Sequence, residues 1–469
     1  MTKTQRGWNP GNWFRSTPVR KRLFRGLGAT ALSPMVTAVI QLGTVPLLLH
    51  AWGAAKYGDW LILSAIPSYL SLTDLGFGDA SGSDMTMRVA AGDRKGAIET
   101  FQSSWVLLSV VSLFAGLLAA TVVWRVPWHR WVRLASLSDV QASAVVLVFG
   151  AYLLVSQQCG VFESGFRCDG NFATGTVFGT LLRLIETATA TVVGILTGSL
   201  LWAAATYLIC RTTGVIIYGL LLRRKSPWLP IGFSNARLSR VKELAAPALG
   251  FVALPLANAI SIQGFTLLIA SLLGSVAVTQ FSTMRTLTRV NFQLMTVIGW
   301  AMWPELSRAF GEGNVSLART LHHRAYQAGL ALSILTGSAL WYFGPALYHM
   351  WIRNAVTFDA SCFHILLLVT FANSLWFTSS VVPMSTNAHH RLTSIFVALS
   401  LLSLGLGWTL VRQHGLSGAA FALLVTDLSM NYLVLRASLR QLQEKLGEFI
   451  RAILSFSLSA PVAEAVERS

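Results

Sequence analysis

Charge is scarce in this sequence. Asp, Glu, Lys and Arg make up only 12% of its 469 residues, about half the share of an ordinary soluble domain. The shortage is deepest among acids, with 19 Asp and Glu against 36 Lys and Arg. Long polar stretches are missing too, which leaves no room for a sizeable soluble domain. Cysteine is nearly absent. Cys159, Cys168, Cys210 and Cys362 form no CxxC pair and fall in or beside apolar runs, which argues against a disulfide framework or a zinc site.

What fills the chain instead is apolar runs of about 20 residues, the length that crosses a bilayer as a helix. They lie near 28–51, 57–79, 101–124, 141–163, 172–197, 200–222, 244–271, 276–304, 324–345, 362–385, 392–412 and 416–436. The fold class expected is therefore an all-α integral membrane protein of about twelve transmembrane helices. The formal charge of +17 does not point to nucleic acid, because its distribution follows the membrane. With a cytoplasmic N-terminus, 26 of the Lys and Arg fall on inside segments and six outside. Such a bias is the positive-inside rule, with both termini cytoplasmic. The misfits Arg125, Arg130 and Arg133 alternate with Trp124, Trp128 and Trp131, as in a loop lying along the interface. The first apolar run is too long for a cleaved leader and should stay as an anchor. The 16 tryptophans, many near span ends, fit an aromatic belt rather than a cofactor box, and no cofactor is expected.

The sequence repeats weakly. A shift of 221 residues brings Pro34 to Pro255, Ala38 to Ala259, Gly43 to Gly264, Leu47 to Leu268 and Gly53 to Gly274. Prolines and glycines set kinks and close contacts, so their coincidence means more than shared hydrophobicity. The chain then divides into a basic cytoplasmic N-terminus (1–27), a six-helix half (28–222), a basic cytoplasmic connection (223–243), a second six-helix half (244–436) and a cytoplasmic tail (437–469). Parallel six-helix repeats suggest a V-shaped alternating-access transporter, with its site between the halves.

Polar residues inside the spans are the candidates for that site. Thr30, Ser33, Thr37, Gln41 and Thr44 share one face of the first span, and Ser64, Ser68 and Ser71 run toward Asp74 in the second. In the eighth, Ser282, Arg285, Thr286, Arg289, Gln293 and Thr296 do the same. An arginine deep in a bilayer costs about 2.5–3.5 kcal/mol on insertion scales. Arg285 and Arg289 are one turn apart with no acid before Glu305, and the repeat places Ser64 and Ser68 opposite them. Packing thus does not demand arginine there, which favours a role in binding. Arg183 and Glu186, three apart, are placed to neutralise each other. Arg211 pairs with a carboxylate on another span, such as Asp427, or faces the cavity. Asp74 is a candidate for a coupling cation or for organising its helix end.

The stretch Tyr57-Gly58-Asp59-Trp60, with Asp74-Leu75-Gly76-Phe77-Gly78 ending the second span and Gly92-Asp93 ending the next loop, resembles bacterial polysaccharide flippases. These belong to the multidrug/oligosaccharidyl-lipid/polysaccharide exporter (MOP) superfamily. The motif covers about fifty residues; elsewhere the likeness is one of architecture. It implies transfer of a polyprenyl-diphosphate-linked oligosaccharide across the bacterial inner membrane for O-antigen, capsule or exopolysaccharide synthesis. Membrane lipids, and the polymerase and chain-length components of that assembly, are the other partners implied. Arginine's planar fork suits phosphate oxygens, so Arg285 and Arg289 would grip the diphosphate while Gln41, Gln293, Arg183 and Arg211 complete the binding surface.

Two alternatives stand beside this reading. One is a cation-coupled multidrug or small-metabolite exporter of the same superfamily, for which unpaired arginines would repel cationic cargo. The other is an integral-membrane polymerase or ligase. The sequence offers no long external loop for catalytic groups, and the pairs His322–His323 and His389–His390, assigned to cytoplasmic loops, do not share a helix face. Neither enzyme activity nor a bound metal is expected. A non-transporting scaffold would leave the cavity charges unexplained.

Overall fold

The computed structural model describes residues 17–455 except 75 and 387; side chains of residues 17–32, and a few within 71–75, 246–251 and 297–304, are not described either. The basic residues before Thr17, the tail beyond Ser455 and the side chains of Thr30, Ser71 and Asp74 thus lie outside the described residues.

The described chain is helical from end to end. The helices are α1 (Thr17–Ser68), α2 (Phe77–Ala90), α3 (Arg94–Val123), α4 (Trp128–Val132), α5 (Asp139–Cys168), α6 (Phe172–Thr197), α7 (Leu200–Lys225) and α8 (Leu238–Ala259). They continue with α9 (Phe265–Leu273), α10 (Ser275–Thr288), α11 (Val290–Gly311), α12 (Val315–Ile352), α13 (Ala360–Ser385), α14 (His390–Gln441) and α15 (Leu446–Leu454). Among the described residues, nine helices are long and apolar enough to cross a membrane. Two of them, α1 and α14, are each a pair of helices joined at a glycine kink, Gly53 and Gly415. At Gly415 the chain doubles back: Ser403 Oγ donates to the Ala422 carbonyl at 2.8 Å. With α10 and α11 taken as one more segment, the count reaches twelve crossings.

The turn glycines carry the repeat into the backbone. Gly53 has φ 74° and ψ 169°, and Gly274, its counterpart at the shift of 221, has φ 85° and ψ −178°. Only glycine adopts this conformation at low cost, so both chains turn at the same place for the same reason. Other helix starts are fixed by side chains: Ser138 forms a capping box with Gln141, and Asn314 and Asp359 accept from Leu317 N and Cys362 N.

Packing is unequal at the two ends. At the end where α1 turns at Gly53, one apolar cluster joins residues of both helix sets, among them Trp52, Trp60 and Phe149 with Phe265, Phe281 and Tyr348. Polar bonds reinforce it. Thr279 Oγ1 donates to Ala54 O at 2.7 Å, Trp351 Nε1 to Leu42 O at 2.7 Å, and Arg133 Nη1 to Leu272 O at 3.0 Å. Asp59, fully buried, holds the α4 loop by accepting from the backbone of Ala135 and Ser136. Toward the opposite end the apolar packing divides into separate clusters, one among α2–α7 with the start of α8, and three within the later helices. The two sets are joined by packing at the Gly53 end.

At that opposite end the connection 223–243 lies against α2 and α3 instead of hanging free. Asn235 N donates to Gln102 Oε1 and Arg237 N to Ser103 Oγ, while Arg240 bridges Glu99 and Glu243. Arg88 meets Asp84 and Asp93, and Asp93 caps α3 through Gly96 N. That backbone bond, aided by Arg88, holds the Asp93 carboxyl below its usual range.

The intramembrane pairings match the sequence expectation in part: Arg211 finds a carboxylate on another span, Glu186 in place of Asp427. Arg211 on α7 is bonded to Glu186 on α6 and, at 3.0 Å, to Tyr152 on α5. Arg183 does not pair with Glu186. It is exposed and reaches Thr37 Oγ1 at 3.5 Å, because Glu186 faces the α5–α7 interior and Arg183 faces α1. Breaking a buried pair strands a charge, at a cost of about 3–5 kcal/mol. Glu186→Met or Arg211→Met alone should therefore lower the melting temperature in detergent sharply, and the double Met variant should regain most of the loss. Equal melting temperatures for both single variants and the parent would show that the pair carries no such weight.

Candidate functional site

A cavity of about 340 Å³ lies inside the later helices, lined from α8, α10, α11, α13 and α14. It brings Arg285 and Arg289 together, as the sequence suggested. This cavity is lined by the second helix set, whereas the expected site lies between the two sets. Apolar walls come from Phe292, Trp376, Phe377 and Phe396, and polar groups from Asn258, Asn373 and Asp427.

Each arginine has a local reason to stay. The helix α8 ends in a wide turn, Ile260–Gly264, before α9. Turns of this kind loosen the regular hydrogen-bond ladder and recur at functional sites. Arg285 Nη1 donates to the Ile262 carbonyl of that turn at 3.3 Å, and Nη2 to Thr266 Oγ1 at 3.5 Å. The guanidinium also lies 5.4 Å from the Phe281 ring centroid, and that of Arg289 lies 5.5 Å from Phe292, distances at which cation–π attraction contributes. Neither arginine is within 4.0 Å of a carboxylate among the described residues. Arg289 is the residue at which α10 passes into α11, and the helical bonds continue through it, Arg289 N donating to Arg285 O at 3.0 Å and Gln293 N to Arg289 O at 3.2 Å, so the two arginines stay one turn apart.

Asp427 is the acid on the cavity wall. Its Oδ1 accepts from Asn373 Nδ2 and Trp376 Nε1, both at 2.8 Å. Two fixed donors restrain the carboxylate's rotamer and aim it. The pattern Asn373-x-x-Trp376, on one face of α13, was visible in the sequence but was not singled out, because its meaning depends on Asp427 across the helix pair.

The other candidates scatter. Gln41 and Gln293 meet each other, with Gln293 Nε2 donating to Gln41 Oε1 at 2.8 Å. They bridge the two helix sets and do not line the arginine cavity. Arg211 and Arg183 are outside that cavity too, on α7 and α6. Asp74 ends a tight turn, Tyr69–Asp74. The histidine pairs divide: His322 and His323 are helical, whereas His389 lies in the short connection before α14 and His390 opens that helix. His322 and His323 lie in α12, whose helix continues beyond the apolar window that marked it; His322 bonds Ser379 and His323 bonds Glu444. His389 caps α14 and reaches the cavity rim. Among the described residues no group of His, Cys, Asp and Glu could hold a metal ion.

The flippase-like motif acquires physical content. Tyr57 is buried and Trp60 packs edge-on against Phe149 at 4.8 Å. Between them Gly58 touches the start of α10 so closely that a Cβ would lie 2.0 Å from the Ser275 carbonyl oxygen. Gly76, at φ 74°, opens α2, and Gly92, at φ 82°, turns into the Asp93 cap.

No protein-family model matches the sequence, and no curated protein is significantly similar to it. Solved structures are similar in fold. An inward-facing conformation of a multidrug resistance MATE family transporter of the MOP superfamily superposes with a TM-score of 0.74 at 14% identity, over 92% of this chain and 100% of that one. The chain has the MATE transporter fold. An outward-facing MATE structure gives 0.65 at 13% identity, over 92% and 97%. A MOP superfamily transporter from Pyrococcus furiosus, described as having a binding pocket of reverse polarity that suggests a different function, gives 0.66 at 14% identity over 94% and 99%.

Proposed function

We propose that the chain is a transporter that exports a small amphiphile with an anionic head by alternating access. The observation that carries this reading is the pair Arg285 and Arg289 in an otherwise largely apolar cavity, without an ion-paired carboxylate among the described residues. A cavity of about 340 Å³ is at the lower end of the range for drug-sized ligands, which supports the small-molecule alternative of the sequence reading. The halves 28–222 and 244–436 would be the units that move, in the bacterial inner membrane with both termini cytoplasmic. The chain would act without enzymatic turnover.

The second reading is the lipid-linked oligosaccharide flippase. It is favoured by the Tyr57–Trp60 and Asp74–Gly78 stretches and by the fit of two arginines to a diphosphate; the cavity would take the diphosphate and leave sugars and lipid outside. Proteoliposomes distinguish the two. Uptake of a small anionic amphiphile, with no translocation of a fluorescent polyprenyl diphosphate, supports the exporter. The converse supports the flippase. Transport of a cationic dye alone, with neither anion moved, overturns both.

A further inference from the structure

Beyond the transport cavity, the inner end of α14 carries a second pattern. Phe421, Val425, Leu428 and Tyr432 are exposed along one face, at helical spacings of three and four. The next turns of that face carry Arg436 and Arg440, both exposed. Read along its axis, the face passes from hydrocarbon contacts through a tyrosine to two cations one turn apart. This is the order in which a bilayer presents acyl chain, interface and headgroup.

The helix α15 closes a groove over this end of α14. It is fixed in place: Gln327 Nε2 donates to Ala452 O at 2.9 Å, Arg319 binds the carbonyls of Leu442 and Gln443, and Phe449 and Ile453 are buried. Its opposite side exposes Leu446, Ile450 and Leu454 at intervals of four, as expected of a helix lying on a membrane surface. The groove between them, about 380 Å³, is walled by Tyr432, Leu435, Leu439 and Leu446 and carries Arg436 and Arg440. Its one acid, Glu444, is turned to His323 at 2.7 Å. Arg436 donates to Tyr432 Oη at 3.2 Å, which uses one of its five N–H groups. Arg440 has no side-chain partner among the described residues.

We infer that this groove binds an anionic phospholipid of the inner leaflet, with its phosphate between Arg436 and Arg440 and an acyl chain along Tyr432 and Leu428. A basic pocket between helices at this depth is suited to an anionic headgroup, and the apolar wall continuing into the lipid-facing stripe commits the site to a lipid over free phosphate. The inference does not depend on the identity of the transported substrate.

The test is native mass spectrometry of the full chain in micelles doped with phosphatidylglycerol or phosphatidylcholine. The parent should retain phosphatidylglycerol preferentially. Arg436→Gln with Arg440→Gln should cut that preference by about tenfold or more, since each cation near the surface adds appreciably to anionic-lipid affinity. The double Lys variant should keep most of it. Arg223→Gln with Arg224→Gln, at another inner helix end, should leave it unchanged and controls for general charge. Undiminished preference in the Arg436/Arg440 Gln variant overturns the inference, as does an equal loss in the Arg223/Arg224 control. A Gln variant that melts with the parent in lipid-free detergent shows that any loss is not unfolding. If it melts lower, the Lys variant decides: retained preference there upholds the site, and lost preference overturns it.

Discussion

Gly58→Ala is expected to hold the two helix sets apart at the Gly53 end and to cut transport by about tenfold or more, while the chain still inserts. The added Cβ would be 2.0 Å from the Ser275 carbonyl oxygen, a backbone atom that cannot swing aside. Relieving an overpacked contact costs about 1–3 kcal/mol. Here the whole cost falls on the state in which α1 and α10 touch, so the closed population drops by about 5- to 150-fold. Cysteines at Ala54 and Thr279, whose backbone and side chain are now bonded at 2.7 Å, provide the measurement. They should cross-link readily with Gly58 present and slowly once it is replaced by alanine. Unchanged cross-linking and transport would mean that the contact closes nothing. Arg133 Nη1 and Trp351 Nε1 form neighbouring bonds at the same end, and both should be lost together in the variant.

The second large effect concerns Arg285→Ser and Arg289→Ser, which copy the repeat-related Ser64 and Ser68. Expression should be normal, because removing a charge from a span eases its insertion and because no carboxylate lies within 4.0 Å of either arginine among the described residues. Affinity for an anionic substrate should fall by about 10- to 100-fold per arginine, the scale of one hydrogen bond to a charged group. Lysine should rescue in part, since it keeps the charge and loses the planar fork. The double Ser variant leaves Asp427 as the remaining charge among the cavity's fixed wall groups, so it should begin to admit a cationic dye. Uptake of an anionic and a cationic amphiphile, measured beside expression, decides the matter. Normal expression with undiminished anion uptake would remove the arginines from the site.

The crossings were legible in the sequence because a bilayer allows few alternatives to long apolar runs, and the turn at Gly274 was legible because Gly53 had the same task. The site was legible only in part. Arg285 and Arg289 stood out through the cost of placing them in lipid. That they face Asp427, held by Asn373 and Trp376, depends on how α13 and α14 pack, which periodicity does not report. Glu186 shows the same limit: three residues from Arg183 along one helix, it pairs instead with Arg211 on the next. The short helices α2, α4 and α15 escaped notice because their apolar faces are brief and are completed by neighbours. The same is true of the N-terminal end of α12, which carries His322 and His323 onto the α14–α15 turn.

The segment 275–311 carries both arginines, and each adds to the cost of its entry into lipid. Contact with an earlier helix would offset part of that cost, and α1 offers one: Thr279 bonds Ala54, and Gly58 admits the start of α10. Insertion of the second helix set would in this respect be helped by the first. A lesion at Gly58 would then be felt twice, once as the newly made chain assembles and again in every cycle of the finished protein.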